Sequence, residues 1–371
     1  MIGDGQAGMS DVETHAPVTQ YPLLITVLFC SAASLVITFL GLSQFDLAIV
    51  RYVRSVTIHL PWSQLTIPWM AFTSDVGNWI GEGTHLVVLS LVLVGAGWLF
   101  SWAVVRHAGI QTLLAHGLAA LLVNGLKHLI GRPRPKFTHS GEWQFDPSWA
   151  SGFDSFPSGH TAASFALATV LAKRFPCIAP LCLGVAAFVM LSRVLRGAHF
   201  PTDVLGGAVV GIISGAIASA PLKEWRTSLQ KGIEQSAIGA VLLLVLLWSL
   251  ARAPEQGLVG MLLTGLGLVA IITGLWLRRI EWMGTERSDS RRHALMSLLL
   301  LCYGLASLTT SLYVVASAGL AGVAAWLNAV TSLEEKPSDR RAEMVIRESA
   351  LLIGVALVLL THYAGRGILL F

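Results

Sequence analysis

The chain has 371 residues, 54% of them hydrophobic and only 12% charged, with a mean hydropathy of +0.69. Soluble domains carry about 25% charged residues, so this composition excludes an ordinary soluble protein and indicates one that is integral to a membrane. The formal net charge of +4 does not point to nucleic acid as a partner, because Lys and Arg are spread over short loops rather than gathered on one face.

The N-terminal stretch MIGDGQAGMSDVETHAPVTQ is polar and acidic. It has no basic leader region and no small-residue cleavage site, so residues 1–21 are read as a cytoplasmic tail and 22–42 as a retained transmembrane helix. A bilayer core about 30 Å thick needs roughly 20 apolar residues per helix. Runs that meet or approach this follow at 84–104, 109–130, 158–174, 177–195, 202–220, 236–252, 257–277, 294–316 and 349–365, and a run at 318–333 would make eleven. Between the first two lie FDLAIVRYVRSV and PWSQLTIPWMAF, within 44–82. Their helical spacing and charge predict helices lying on the interface. The expected fold is all-α, a polytopic membrane helix bundle. Cys30, Cys177, Cys182 and Cys302 lie in or beside apolar runs, with neither CxxC spacing nor a histidine cluster, and read as core fillers.

Orientation follows from basic residues in the loops. Arg106, the pair Lys173 and Arg174, the set Lys223, Arg226 and Lys231, and the cluster from Arg278 to Arg292 fall in alternate loops, which marks those loops as cytoplasmic. Arg51 and Arg54 disagree, and the four concordant loops outweigh them. The N-terminus is then cytoplasmic. Lys127, the stretch 158–160, Arg193 and the stretch 199–203 all come out on the extracytoplasmic face.

Those positions belong to three segments. KHLIGRPRP holds Lys127 and, seven residues on, Arg134. FPSGH holds Ser158, Gly159 and His160. SRVLRGAHFPTD holds Arg193, His199 six residues later and Asp203 four beyond that. Three fixed cations suit a phosphate and the charge on its oxygens in a transition state. Backbone N–H groups from Ser158 to His160, with Gly159 permitting close approach, add donors at a helix start. His199 with Asp203 reads as a nucleophile and its orienting carboxylate, and His160 as the group that protonates the leaving oxygen. Each residue alone has a plainer reading: Ser158 as a helix cap, His160 as a first-turn polar residue, Lys127 and Arg134 as boundary cations. Arg193 is harder to dismiss, since it ends an apolar helix where an unpaired cation is costly.

Taken together, Lys127, Arg134 and Pro135, then Pro157 to His160, then Ser192, Arg193, His199 and Asp203 resemble the three-part signature of the type 2 phosphatidic acid phosphatase superfamily. That superfamily includes membrane lipid phosphatases and soluble vanadium haloperoxidases. The resemblance covers residues 22–220 and implies a six-helix core with an extracytoplasmic active site. It also implies His199 as the nucleophile forming a phosphohistidine, Asp203 as its partner and His160 as the general acid. Lys127, Arg134, Ser158, Gly159 and Arg193 would hold the phosphate, with neither metal nor cofactor. A lipid phosphate or polyprenyl diphosphate is the expected substrate. A phosphotransferase with the same histidine chemistry, or an inactive lipid-handling protein, are the alternatives. Arg196, one turn beyond Arg193, is a candidate headgroup contact that would favour a diphosphate. Residues 221–235 are expected to be a cytoplasmic linker. The four or five helices of 236–371 form an additional C-terminal transmembrane domain whose interiors offer no second site and whose glycines suit close packing.

Overall fold

A computed structural model of the chain describes residues 20–57, 68–138, 146–251, 257–282 and 287–331. Among them there is no strand, and the fold is an all-α membrane bundle of eleven α-helices. These are α1 (Gln20–Thr57), α2 (Pro68–Ile80), α3 (Gly83–Leu99), α4 (Ala103–Ile130), α5 (Gly159–Arg174), α6 (Ala179–Leu195), α7 (Pro201–Ala218), α8 (Trp225–Ala251), α9 (Leu258–Trp282), α10 (Arg287–Leu308) and α11 (Leu312–Thr331). Among the described residues five spans are long and apolar enough to cross a bilayer, and the pair α2 and α3, bent by 54°, makes a sixth when counted as one span.

Several expectations shift. Residues 44–57 are not a separate interfacial helix: α1 runs unbroken through them, because its one internal acid, Asp46, is fully buried and ion-paired. The expected run 294–316 is broken at 309–311, where Thr310 takes a positive φ, and so divides between α10 and α11. Residues 225–235, expected as linker, are the opening turns of α8. The run 349–365 lies outside the described residues.

The axis of the bundle is α7, two-thirds of whose span is buried against 17% of α4's. Its sequence explains why. Pro201 fits the first helical position, and Asp203 accepts the N–H of Phe200 at 2.9 Å, tying down the helix entry. Gly207 and Gly211 then bring α5 into backbone contact: a Cβ at either would lie 2.4 Å from the carbonyl oxygens of Ser158 and Ala162 respectively. Such small-residue contact is how helices pack where lipid provides no hydrophobic contrast. It fixes the height at which the start of α5 meets the start of α7.

The C-terminal helices are not a detached unit. Leu35, Leu42 and Phe45 of α1 and Leu205 of α7 share one buried cluster with Leu244 of α8, Ile271 of α9, Leu305 of α10 and Val314 of α11. We expect Gly211→Leu to lower the thermal midpoint in detergent strongly, since overpacking a filled site costs typically 1–3 kcal/mol or more. Gly117→Leu, at a glycine facing open space, should leave it nearly unchanged. Equal midpoints for the two variants would refute the close-approach reading.

Candidate active site

Four helix ends and two loops meet at one end of the bundle. The C-terminal turn of α4 brings Lys127. It stops at Gly131, whose left-handed φ of 61° and absent Cβ let the Asp146 carbonyl pass where a side chain would clash. The loop beyond carries Arg132 and Arg134. The loop before α5 carries Asp154 and Ser155, α6 ends in Arg193, and His199 precedes α7 with its Asp203.

The deepest element is Arg132, with no exposed surface. Its guanidinium donates to Asp203 at 2.6 Å, to Asp46 at 2.8 Å and to the Thr202 hydroxyl at 2.7 Å. Its face rests on the Phe200 ring at 4.1 Å. Asp46 also accepts the backbone N–H of Thr202 at 3.0 Å. One guanidinium thus pins α1 to the start of α7 with the planar fork that lysine lacks.

From this anchor a chain of bonds reaches His199. Asp203 accepts the Ser155 hydroxyl at 2.5 Å, while the Ser155 N–H donates to the Arg132 carbonyl at 3.0 Å. Ser155, held at both ends, presents its own carbonyl oxygen 2.8 Å from His199 Nδ1. A carbonyl can only accept, so Nδ1 carries the proton and Nε2 the lone pair. The sequence reading gave this task to Asp203 directly. Its carboxylate instead stands 3.9 Å from Nδ1, and the hydrogen bond goes to Ser155. Burial, then the positive charges of Arg193, Arg134 and Lys127, push the His199 pKa well below its ordinary value, against the Ser155 bond that raises it. His199 is therefore neutral, within the field of three cations.

Those cations have partners. Arg134 makes a two-pronged pair with Asp154 at 2.8 and 2.6 Å, and Lys127 lies 3.5 Å from the same carboxylate. Burial raises the Asp154 pKa, but the hydrogen bonds and charge of Arg134, helped by Lys127, outweigh it and hold the carboxyl at about 2. An ionised carboxylate thus sits where the cations would meet a phosphate. Arg193 is buried, bonds Asn78 of α2 through Nη1 and leaves its Nε without a partner. Arg196 pairs with Asp75 at 3.2 Å on the exposed rim, so it is not an unengaged fourth cation. Ser158 is fully buried and its N–H is taken by the Asp203 carbonyl at 3.0 Å. That removes one expected backbone donor and leaves the first-turn amides of Gly159 and His160, which have no intrahelical acceptor.

The sequence reading missed Arg132, Asp46, Ser155, Asp154 and Asn78. Two of these had a signal: Asp46 is a lone acid in an apolar run, and Arg132 lies inside the same KHLIGRPRP segment.

The family model of the PAP2 superfamily matches residues 108–226. Phosphatidylglycerophosphatase B of Bacillus subtilis is 32% identical over 160 residues, covering 39% of this chain and 72% of that protein. The chain belongs to the PAP2 superfamily. A lipid A 1-phosphatase of Rhizobium johnstonii is 40% identical over 145 residues, covering 38% of this chain and 57% of the relative. The undecaprenyl-diphosphatase BcrC of Bacillus subtilis is 35% identical over 135 residues, covering 35% of this chain and 65% of its own. The chain spans between 22% and 57% of the length of the first three relatives, all lipid A 1-phosphatases.

In this PAP2 member the matched region takes in α4 to α7 but not Asp46 or Asn78, so two of the contacts that hold the site come from outside it. Replacing Arg132 with Met should strand two buried carboxylates and destabilise the fold by about 3–5 kcal/mol, the usual result of removing one partner of a buried ion pair. Thermal midpoints of the Arg132→Met and Arg132→Lys proteins in detergent measure this. A Met variant as stable as the parent would show that the network holds nothing together.

Proposed function

We propose that this protein is a membrane lipid phosphatase working through a phosphohistidine at His199. The carrying observation is the Nδ1 bond from His199 to the Ser155 carbonyl, which leaves Nε2 as the nucleophilic lone pair among three cations. A substrate phosphate exchanges with Asp154 for Arg134 and Lys127. Arg193 and the first-turn amides of α5 take the remaining oxygens, and Nε2 attacks phosphorus as the ester bond breaks. His160, protonated once the anionic phosphate balances the surrounding cations, gives that proton to the departing alkoxide. The phosphorylated imidazole gains positive charge, which Asp203 at 3.9 Å stabilises without contacting it. With the alcohol gone, His160 takes a proton from water, which attacks phosphorus and frees His199 and phosphate.

The charge for this chemistry comes from three side-chain cations, Lys127, Arg134 and Arg193. Metal independence is part of the proposal, as is an active site on the extracytoplasmic face with the N-terminus in the cytoplasm. The relatives named above supply the substrate range: a lipid phosphomonoester or a polyprenyl diphosphate.

The test is release of phosphate from a panel of lipid phosphates and diphosphates. Release should persist in excess EDTA and stop with vanadate, and His199→Ala should form no acid-labile phosphoenzyme. Activity lost in EDTA and restored by magnesium, or a phosphoenzyme in the His199→Ala protein, would overturn the mechanism. Measuring transferred phosphate alongside free phosphate separates a hydrolase from a phosphotransferase. For sidedness, with the four native cysteines replaced, an impermeant thiol reagent on intact cells should label Cys at Trp149 and not at Lys223. The reverse pattern places the site in the cytoplasm.

The lowered pKa of His199 has its own consequence. A histidine with a depressed pKa stays neutral to lower pH, so the nucleophile's acid limb should lie below about 6.5. This is read from kcat/KM for an aryl phosphate, whose leaving group needs no protonation, corrected for substrate ionisation. An acid limb at or above that value would contradict the burial of His199.

A further inference from the structure

One face of α4 lines a half-open cavity of about 170 Å³ that begins at the site and runs along α4, between it, α5 and the start of α3, with Ala120 and Asn124 on its exposed side. Lys127, Gly159 and His160 form its outer end, and Asn124 and His116 lie along it, with alanines between. His116 is 11 residues before Lys127, so about 16 Å below it at 1.5 Å per residue. Neither His199 nor Arg134 lines this cavity: it extends from the side of the site where His160 stands. In an in-line displacement the leaving oxygen departs opposite the nucleophile, on the side of the general acid. The space beyond His160 is therefore where the leaving alcohol must go.

Its lining is not what a bare hydrocarbon requires. His116 Nδ1 has almost no exposed surface and no hydrogen-bond partner, so the ring meets the cavity through its other edge, where Nε2 is the polar atom. Gly83, first residue of α3, lies against that edge of the ring: a Cβ there would stand 3.4 Å from His116 Cε1 and 3.5 Å from Nε2, an ordinary contact distance. Asn124 adds an amide one turn below Lys127, on the same face. We propose that this cavity receives the leaving alcohol and that His116 and Asn124 hydrogen-bond to hydroxyl or amide groups on it. The substrate is then a phosphomonoester of a polar, acylated alcohol, a sugar or a glycerol, rather than of a polyprenol.

This inference rests on the lipid phosphatase reading, and the experiment separates the two. Three lipids are offered to the purified full chain in mixed micelles: an acylated amino-sugar 1-phosphate, phosphatidylglycerophosphate and a polyprenyl monophosphate. The first two distinguish sugar from glycerol as the source of the polar groups. The readout is the ratio of kcat/KM for each polar lipid to that for the polyprenyl lipid within one preparation, which does not depend on the folded fraction. The parent protein should prefer at least one polar lipid. His116→Leu and Asn124→Leu should each lower that ratio by about tenfold, equivalent to roughly 1.4 kcal/mol. Activity on all three lipids with ratios unchanged by both variants, or a parent preference for the polyprenyl lipid, overturns this inference and leaves the phosphatase reading intact. Phosphate release from none of the three overturns both.

Discussion

A single buried guanidinium sets the geometry of this site. Arg132 has no exposed surface and holds two fully buried carboxylates, one from α1 and one from α7. Taking three charges out of water is unfavourable unless each is paired and hydrogen-bonded, so every partner in the group is constrained by the others. Thr202 and Phe200 offer their N–H groups to the same two carboxylates. The start of α7 therefore has one position relative to α1, and Ser155, bonded to both Arg132 and Asp203, inherits it.

The imidazole of His199 is oriented by a main-chain carbonyl rather than by a carboxylate. A carboxylate in direct contact would raise the basicity of the ring, whereas a carbonyl fixes the tautomer with less charge. The ring stays neutral among three cations because those cations and burial both disfavour its protonation. Asp203, 3.9 Å from Nδ1, is near enough to stabilise the positive charge that the proposed reaction would place on the ring, and is occupied in holding the loop. Positioning and charge compensation thus fall to different atoms.

The opposite problem arises at the cations. Three basic side chains clustered without an anion repel one another, and Asp154 relieves this for Arg134 and Lys127. With a carboxyl held at about 2, it is ionised at any physiological pH. The same carboxylate competes for the groups that would bind phosphate. On the third cation, Asn78 from α2 takes one guanidinium nitrogen while another has no partner. The bent α2–α3 pair thus contributes Asn78 at the mouth of the site and Gly83 at the inner cavity.

The residues of the three motifs, the membrane class and the all-helical fold were legible in the sequence because they depend on local quantities: apolar run length, residue type and spacing along a helix. Spacing placed Lys127, His160, Arg193 and His199 at helix ends, and helix ends within one bundle meet in layers. The pairing of those residues was not legible. Whether Nδ1 of His199 meets Asp203 or the carbonyl of Ser155 is a matter of an ångström or so, decided by how far Gly207 and Gly211 let α5 approach α7. That Asp46, 86 residues before Arg132, neutralises it could not be read from either segment, since a lone acid in an apolar run announces only that a partner exists. Sequence determined which chemical groups are present and at which end of the bundle they gather. Tertiary structure decided which atoms they face, because close packing and buried charge pairs depend on distances between segments that no local pattern encodes.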